Sequence, residues 1–251
     1  MKKVVLICCI CLAGRPVFAQ DVNVQLKEAA NLERQLKEPE ALAKYKEILD
    51  ANPTNVMVLV KCTELNCSIG DRQLNKKDKN TTFGEALNYA KQAIAADSNS
   101  ADANYAMALS MDKLVAVETE NKRIIELERD VKLYADKALA LNASHARANY
   151  LEGKWNFDIV SLPGLKLAAT KALHKGFADA DIDSAIIYME KCRTIEQYFA
   201  ANYLELAKAY KFKRRPAQAV DVLNKLVKLP NRTANDAAIK TEGQQILSEM
   251  Q

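Results

Sequence analysis

Five stretches of this chain repeat one pattern of side-chain size, and few folds can use it. They are Glu40-Ala-Leu-Ala-Lys-Tyr-Lys-Glu-Ile48, Glu85-Ala-Leu-Asn-Tyr-Ala-Lys-Gln-Ala93, Asp130-Val-Lys-Leu-Tyr-Ala-Asp-Lys-Ala138, Ser184-Ala-Ile-Ile-Tyr-Met-Glu-Lys-Cys192 and Gln218-Ala-Val-Asp-Val-Leu-Asn-Lys-Leu226. Each has a small or apolar residue, a larger or apolar one four positions on, and a third three beyond that. Those offsets put all three on one face of an α-helix. Several stretches run into turns such as Asn52-Pro53-Thr54-Asn55, Asp97-Ser98-Asn99-Ser100 or Asn142-Ala143-Ser144, whose residues suit ending one helix and capping the next. Seven Gly and six Pro in 251 residues are too few for a turn-rich β-sandwich or barrel. Stacked helical hairpins are the expected arrangement.

The pattern resembles the second helix of a tetratricopeptide (TPR) unit, in which a small residue lets two helices pack closely. Here those residues are Ala41, Ala86, Val131, Ala185 and Ala219. The next contacts are then Tyr45, Ala90, Ala135, Met189 and Leu223, followed by Ile48, Ala93, Ala138, Cys192 and Leu226. Tyr203, Leu206, Ala207 and Tyr210 fit the first helix of the last unit, and Met107, Ala108 and Met111 fit that of the third. The small residues lie 45, 45, 54 and 34 positions apart, and only the last interval matches an uninterrupted unit of about 34 residues. The extra residues are expected mainly between the two helices of a unit, in 68–84, 117–129 and 160–183. Of these, Asn75 to Thr82 reads as a solvated polar loop, and Asn121 to Arg129 as helix extension. Ala234 to Met250 reads as a terminal helix covering an otherwise open face. The expected fold is therefore all-α: a TPR-like αα-superhelix of about five hairpins plus a C-terminal capping helix.

The first nineteen residues read as an export signal. Lys2 and Lys3 precede an apolar run from Val4 to Ala13, and Val17-Phe18-Ala19 offers small residues where a signal peptidase cuts. The run is about half of the roughly 20 residues that a spanning helix needs, so no transmembrane segment is expected after the signal is removed. The expected organisation is residues 1–19 as signal and 20–251 as one helical-repeat domain, placed in a periplasm or outside the cell. Losing Lys2, Lys3 and Arg15 turns 36 basic against 32 acidic residues into 33 against 32. Nucleic acid therefore loses its support as a partner. Three of the six cysteines leave as well, and Cys62, Cys67 and Cys192 read as small buried residues rather than a disulfide framework.

The fourth unit adds something more specific. Tyr150-Leu-Glu-Gly-Lys-Trp155 is followed by Leu165-Lys-Leu-Ala-Ala-Thr-Lys-Ala-Leu173 and then Asp183-Ser-Ala-Ile186. This resembles the TPR domain of the regulator-of-microtubule-dynamics family, which carries a Gly-Arg-Trp element and an apolar Ala-Ala insertion there. Lys154 stands in place of the family Arg, and Ala178-Asp-Ala-Asp181 in place of a Pro-rich segment. The resemblance implies a TPR fold and, from some members, lipid binding in an apolar cavity.

Catalytic chemistry has little to build on. His145 and His174 are far apart, and no metal-ligand spacing, phosphate loop or nucleophile elbow occurs, so neither metal nor cofactor is expected. The expectation is a non-enzymatic scaffold that binds a protein or peptide, with a lipid or other apolar ligand as the second candidate. First helices of a TPR array line its concave face, and the repeat register places Asp102, Tyr105 and Leu109 there. From the fourth unit it adds Arg147, Tyr150 and Lys154, and from the fifth Leu204, Lys208 and Lys211. Aromatic bodies beside cations suit an apolar chain with an anionic end.

Overall fold

The structure, a computed structural model, describes residues 16–163 and 180–250. Among the described residues all regular structure is helical: α1 Pro16–Arg34, α2 Glu38–Ala51, α3 Val56–Asp71, α4 Lys76–Ala96, α5 Ala101–Val115 and α6 Asn121–Leu141. These are followed by α7 Ala146–Ser161, α8 Ile182–Ile195, α9 Ala200–Phe212, α10 Pro216–Leu226 and α11 Asp236–Glu249. Consecutive helices pair as five hairpins, and α11 packs on the last. Most of the expected signal, residues 1–15, lies outside the described residues, and so do the insertion Leu165 to Leu173 and His174.

The size pattern places the core where the repeat puts it. All fifteen residues of the pattern are buried, none more than 2% exposed. All but Ala86 and Cys192 belong to three apolar clusters strung along the chain, one around Ile48 and Val58, one around Val131 and Leu151, one around Leu206 and Leu223. Neighbour packs on neighbour, as in other helical-repeat arrays.

The connections between units are built from the same hydrogen bonds twice over. At Asp97 to Ser100, the Asn99 amide donates to Asp97 Oδ1 (2.9 Å) and the Ala103 amide to the Ser100 hydroxyl (3.2 Å). Asn104 Nδ2 then donates back to the Ser98 and Ser100 carbonyls. At Asn142 to His145, Ser144 donates to Asn142 Oδ1 (3.0 Å), Ala148 to His145 Nδ1 (3.0 Å), and Asn149 Nδ2 to the Ala143 and His145 carbonyls. Orphan amides at each helix start thus find side-chain acceptors, and a buried Asn holds the turn.

Within units the connections differ by unit. The first and last use tight turns with one left-handed residue, Leu36 (φ 60°) and Arg214 (φ 57°), each five positions before the small residue of its unit. Lys37 donates to the Leu32 carbonyl and Leu36 to that of Glu33; Arg215 donates to Tyr210 and Arg214 to Lys211. These are Schellman pairs, which normally place Gly at the left-handed position. In the second and third units the extra residues lengthen helices. Asn75 to Thr82 is a correction: it is no loop but the capped first turns of α4, with Asn75 Oδ1 accepting from the Asp78 amide (2.8 Å). Its polar residues are mostly exposed because those turns project beyond the partner helix, so there is no apolar period to read.

Gly153 on α7 marks a close helix crossing. A Cβ there would stand 2.7 Å from Met189 Cγ and 2.9 Å from the Ala185 carbonyl oxygen on α8. Two substitutions to and from glycine should therefore act oppositely in urea unfolding. Gly153→Ala is expected to lower stability by about 1–3 kcal/mol through overpacking. Arg214→Gly is expected to raise it by about 1 kcal/mol through relief of the left-handed strain.

Candidate functional site

First helices of all five hairpins contribute to one cavity of about 180 Å³, so it lies inside the turn of the superhelix. The helical repeat selects its walls: Lys61, Glu64, Ser68 and Asp71 from α3, Tyr105, Leu109 and Lys113 from α5, Arg147 and Tyr150 from α7. Spacings of three and four stack these side chains along one face. Glu33 of α1 closes one end, Phe199 stands at the entry to α9, and residues 232–236 with Ile239 close the remaining side.

Its charges are largely spoken for. Arg147 makes a bidentate pair with Glu196 (2.7 and 2.6 Å), and its guanidinium lies 3.8 Å from the centre of the Phe199 ring. Phe199 in turn meets Tyr150 edge to face, centroids 4.8 Å apart. Lys61 bridges Glu33 (3.3 Å) and Glu64 (3.1 Å), and Lys113 pairs with Asp71 (2.7 Å). Glu64 also accepts from the Tyr105 hydroxyl (3.1 Å). Burial works against the Glu64 charge, yet Lys61 and Arg147 outweigh it and hold the carboxyl below its usual range. Arg232 is the lining cation with no carboxylate partner among the described residues; its guanidinium sits 4.1 Å above the half-exposed Tyr198 ring. Burial lifts the Tyr150 hydroxyl well above its ordinary value, and it makes no hydrogen bond among the described residues. The cavity thus combines an aromatic wall with an ion-paired floor.

Of the residues expected on the concave face, the cavity brings together Tyr105, Leu109, Arg147 and Tyr150. Asp102 stands outside it, accepting from His145 Nε2 (2.9 Å). Leu204 is core. Lys208 pairs with Glu205 and with Glu242 of α11 (both 2.9 Å), and Lys211 lies 3.5 Å from Glu249, so α11 covers the face that the fifth unit would expose. The α3 wall was readable: stepping the 45-residue interval back from Leu109 and Lys113 lands on Glu64 and Ser68. Residues 232–236 carry no repeat signal.

Lys154 belongs to a second cavity of about 400 Å³ between α5, α6 and α7, where it pairs with Asp112 (2.8 Å) and Asp158 (2.5 Å). Ile125, Ile159 and Leu162 form its apolar side. Glu128 shares this space with no ion-pair partner among the described residues. Burial, then the Asp112 and Asp158 charges, push its carboxyl up to about 8. Among the described residues no group of three His, Cys, Asp or Glu has metal-binding geometry.

A family model described as "Regulator of microtubule dynamics protein 1-3" matches residues 25–251. Regulator of microtubule dynamics protein 1 of Caenorhabditis elegans is 27% identical over 188 residues, covering 75% of this chain and 80% of that protein. The Mus musculus protein of the same name is 25% identical over 180 residues, covering 69% of this chain but only 57% of its own length. A thermophilic TPR protein of Thermus thermophilus superposes with a TM-score of 0.64 at 14% identity, over 90% of this chain and 99% of that one. That likeness speaks for the fold alone.

The second cavity yields a pH prediction. A carboxyl raised to about 8 in the fold, against about 4.3 unfolded, contributes most below pH 4.3 and its contribution is lost as pH rises through 8. Glu128→Gln should leave the melting temperature nearly unchanged at pH 4 and raise it by about 2–4 °C at pH 9, as measured by thermal denaturation across pH.

Proposed function

The chain belongs to the regulator-of-microtubule-dynamics 1-3 family, and we propose from that premise that it is an exported, non-enzymatic scaffold that docks a segment of a partner protein in its concave cavity. The observation behind this reading is the wall of Tyr105, Tyr150 and Phe199 with Arg147 stacked against it. Aromatic rings and Arg supply large contact area with few rotors, and they carry much of the energy at protein interfaces. Arg147 is held by Glu196 before anything arrives, so little side-chain freedom is lost on docking. Microtubules enter only through the relatives' names, and a cytoskeletal role is not carried over to this chain.

The second reading is an apolar-ligand carrier, favoured by the larger cavity with its isoleucine and leucine side. Its polar side holds the Asp112 and Asp158 carboxylates against Lys154, with the Glu128 carboxyl, raised to about 8, mostly protonated near neutral pH. An anionic lipid headgroup would meet net repulsion there, so a carrier would take a neutral or cationic head.

The test is a photo-crosslinker placed at Tyr150 in the chain expressed in its own host, followed by reconstitution with the captured partner segment. Phe199→Ala is expected to weaken the reconstituted complex by about tenfold or more while circular dichroism stays unchanged. Bound lipid in native mass spectra, with no crosslink from Tyr150, would favour the carrier. Export is read separately: the mature chain should begin at Gln20, and an unprocessed cytoplasmic chain would overturn that part.

A further inference from the structure

The two ends of the array touch. Glu38, at the start of α2, is 4% exposed and accepts four hydrogen bonds or ion pairs. Three come from nearby: the Ser68 hydroxyl reaches both oxygens (3.1 and 2.9 Å) and Arg72 approaches to 2.7 Å. The fourth is the Ala234 amide, 196 residues away (3.2 Å). Beside it Arg72 donates to Asn235 Oδ1 (2.6 Å) and Asn235 Nδ2 donates to the Ser68 carbonyl (3.2 Å). The loop that makes these contacts is shaped by Asp236, which accepts from the Arg232 and Thr233 amides (2.7 and 2.9 Å).

Repeat arrays do not require this contact, because each unit is stabilised by its neighbours. Nor does the apolar core extend across it: the cluster of the first unit and the cluster that includes α11 share no residue. The contact is polar, held by one buried carboxylate, one Arg and one Asn. Segments held without apolar burial open at low cost relative to the fold as a whole. Ser68 and Asn235 also line the concave cavity, so their separation would widen it.

We propose that the Glu38–Ser68–Arg72–Asn235 contact is a clasp that closes the superhelix into a ring over the concave cavity, and that it opens to admit a partner. The second half rests on the docking reading above; the first does not. In the closed ring the cavity is about 180 Å³, and the contact bounds it on the side of α11. Opening the clasp widens this cavity into a longer groove along α3, α5 and α7. A partner that needs the groove therefore competes with Asn235 and Ala234 for the first unit, and its apparent affinity is reduced by the fraction of rings that are closed.

Cys67 reports on the clasp. It lines the same cavity, neighbours Ser68 in sequence and is 2% exposed, and burial raises its thiol far above the ordinary value, so the closed form reacts slowly. Cys192 is buried on α8 and is not among the cavity-lining residues, so it reports general unfolding. The experiment is iodoacetamide alkylation of the full chain, read cysteine by cysteine by mass spectrometry. Asn235→Ala and Arg72→Gln are expected to speed Cys67 alkylation by about tenfold while leaving Cys192 unchanged. Glu38→Gln, which keeps the shape and removes the charge, should fall between them and the unaltered chain. If Cys67 keeps its rate in both clasp variants, or if Cys67 and Cys192 accelerate together, the contact is no gate and the proposal falls. The readout involves no partner, so it stands or fails independently of whether the cavity docks protein.

Discussion

Close approach of two helices at one small residue per unit is the constraint on which the rest of the structure hangs. Ala41, Ala86, Val131, Ala185 and Ala219 are all essentially without solvent exposure, and larger side chains of the same helices pack around them. At the α7–α8 crossing both sides are small: Gly153 faces Ala185. Such an approach fixes the hairpin, and repeated hairpins in turn fix which faces of the first helices look inward. Ridge-and-groove packing tolerates little change in volume at these points, because protein interiors are already dense. The cavity is a consequence of that geometry rather than a separate invention.

Much of this was legible in the chain. The spacing of small, large and apolar residues named the buried face of every second helix, and Asn, Asp and Ser marked the turns between units. The Gly153-Lys154-Trp155 element pointed to the family, and each of its residues has a structural duty: Gly153 admits α8, Lys154 bridges two carboxylates, and Trp155 donates to the Glu128 carbonyl (3.0 Å). The start of α4 was not legible. A helix turn without a partner shows no apolar period, and its evidence lies in a cap, Asn75, whose chemistry also suits a loop.

The site was legible by half, for a reason of electrostatics. A sequence displays cations but not their partners, so Lys154, Lys208 and Arg147 look equally available. In the folded chain Lys154 has Asp112 and Asp158, Lys208 has Glu205 and Glu242, and Arg147 has Glu196. Asp112 and Glu242 come from other helices, and Glu196 follows α8, 49 residues from Arg147. Only the aromatic neighbours Tyr150 and Phe199 then single out Arg147 from the rest. The sequence places Ala234 to Asp236 in a terminal helix but gives no sign that residues 232–236 wall the cavity, because nothing in a repeat predicts what lies beyond its end.

That end-to-end contact also bears on how the chain reaches its fold. Hairpins and their stacking join residues within one unit or the next, and such local closure is quick. The bond between Ala234 and Glu38 must instead wait until all five hairpins stand in register, since its partners lie 196 residues apart. A chain emerging from synthesis can thus assemble its units one by one, as an open crescent. Closing the ring is the final event, and it senses the curvature of every unit between: an error of packing anywhere along the arc is felt as a gap at its two ends.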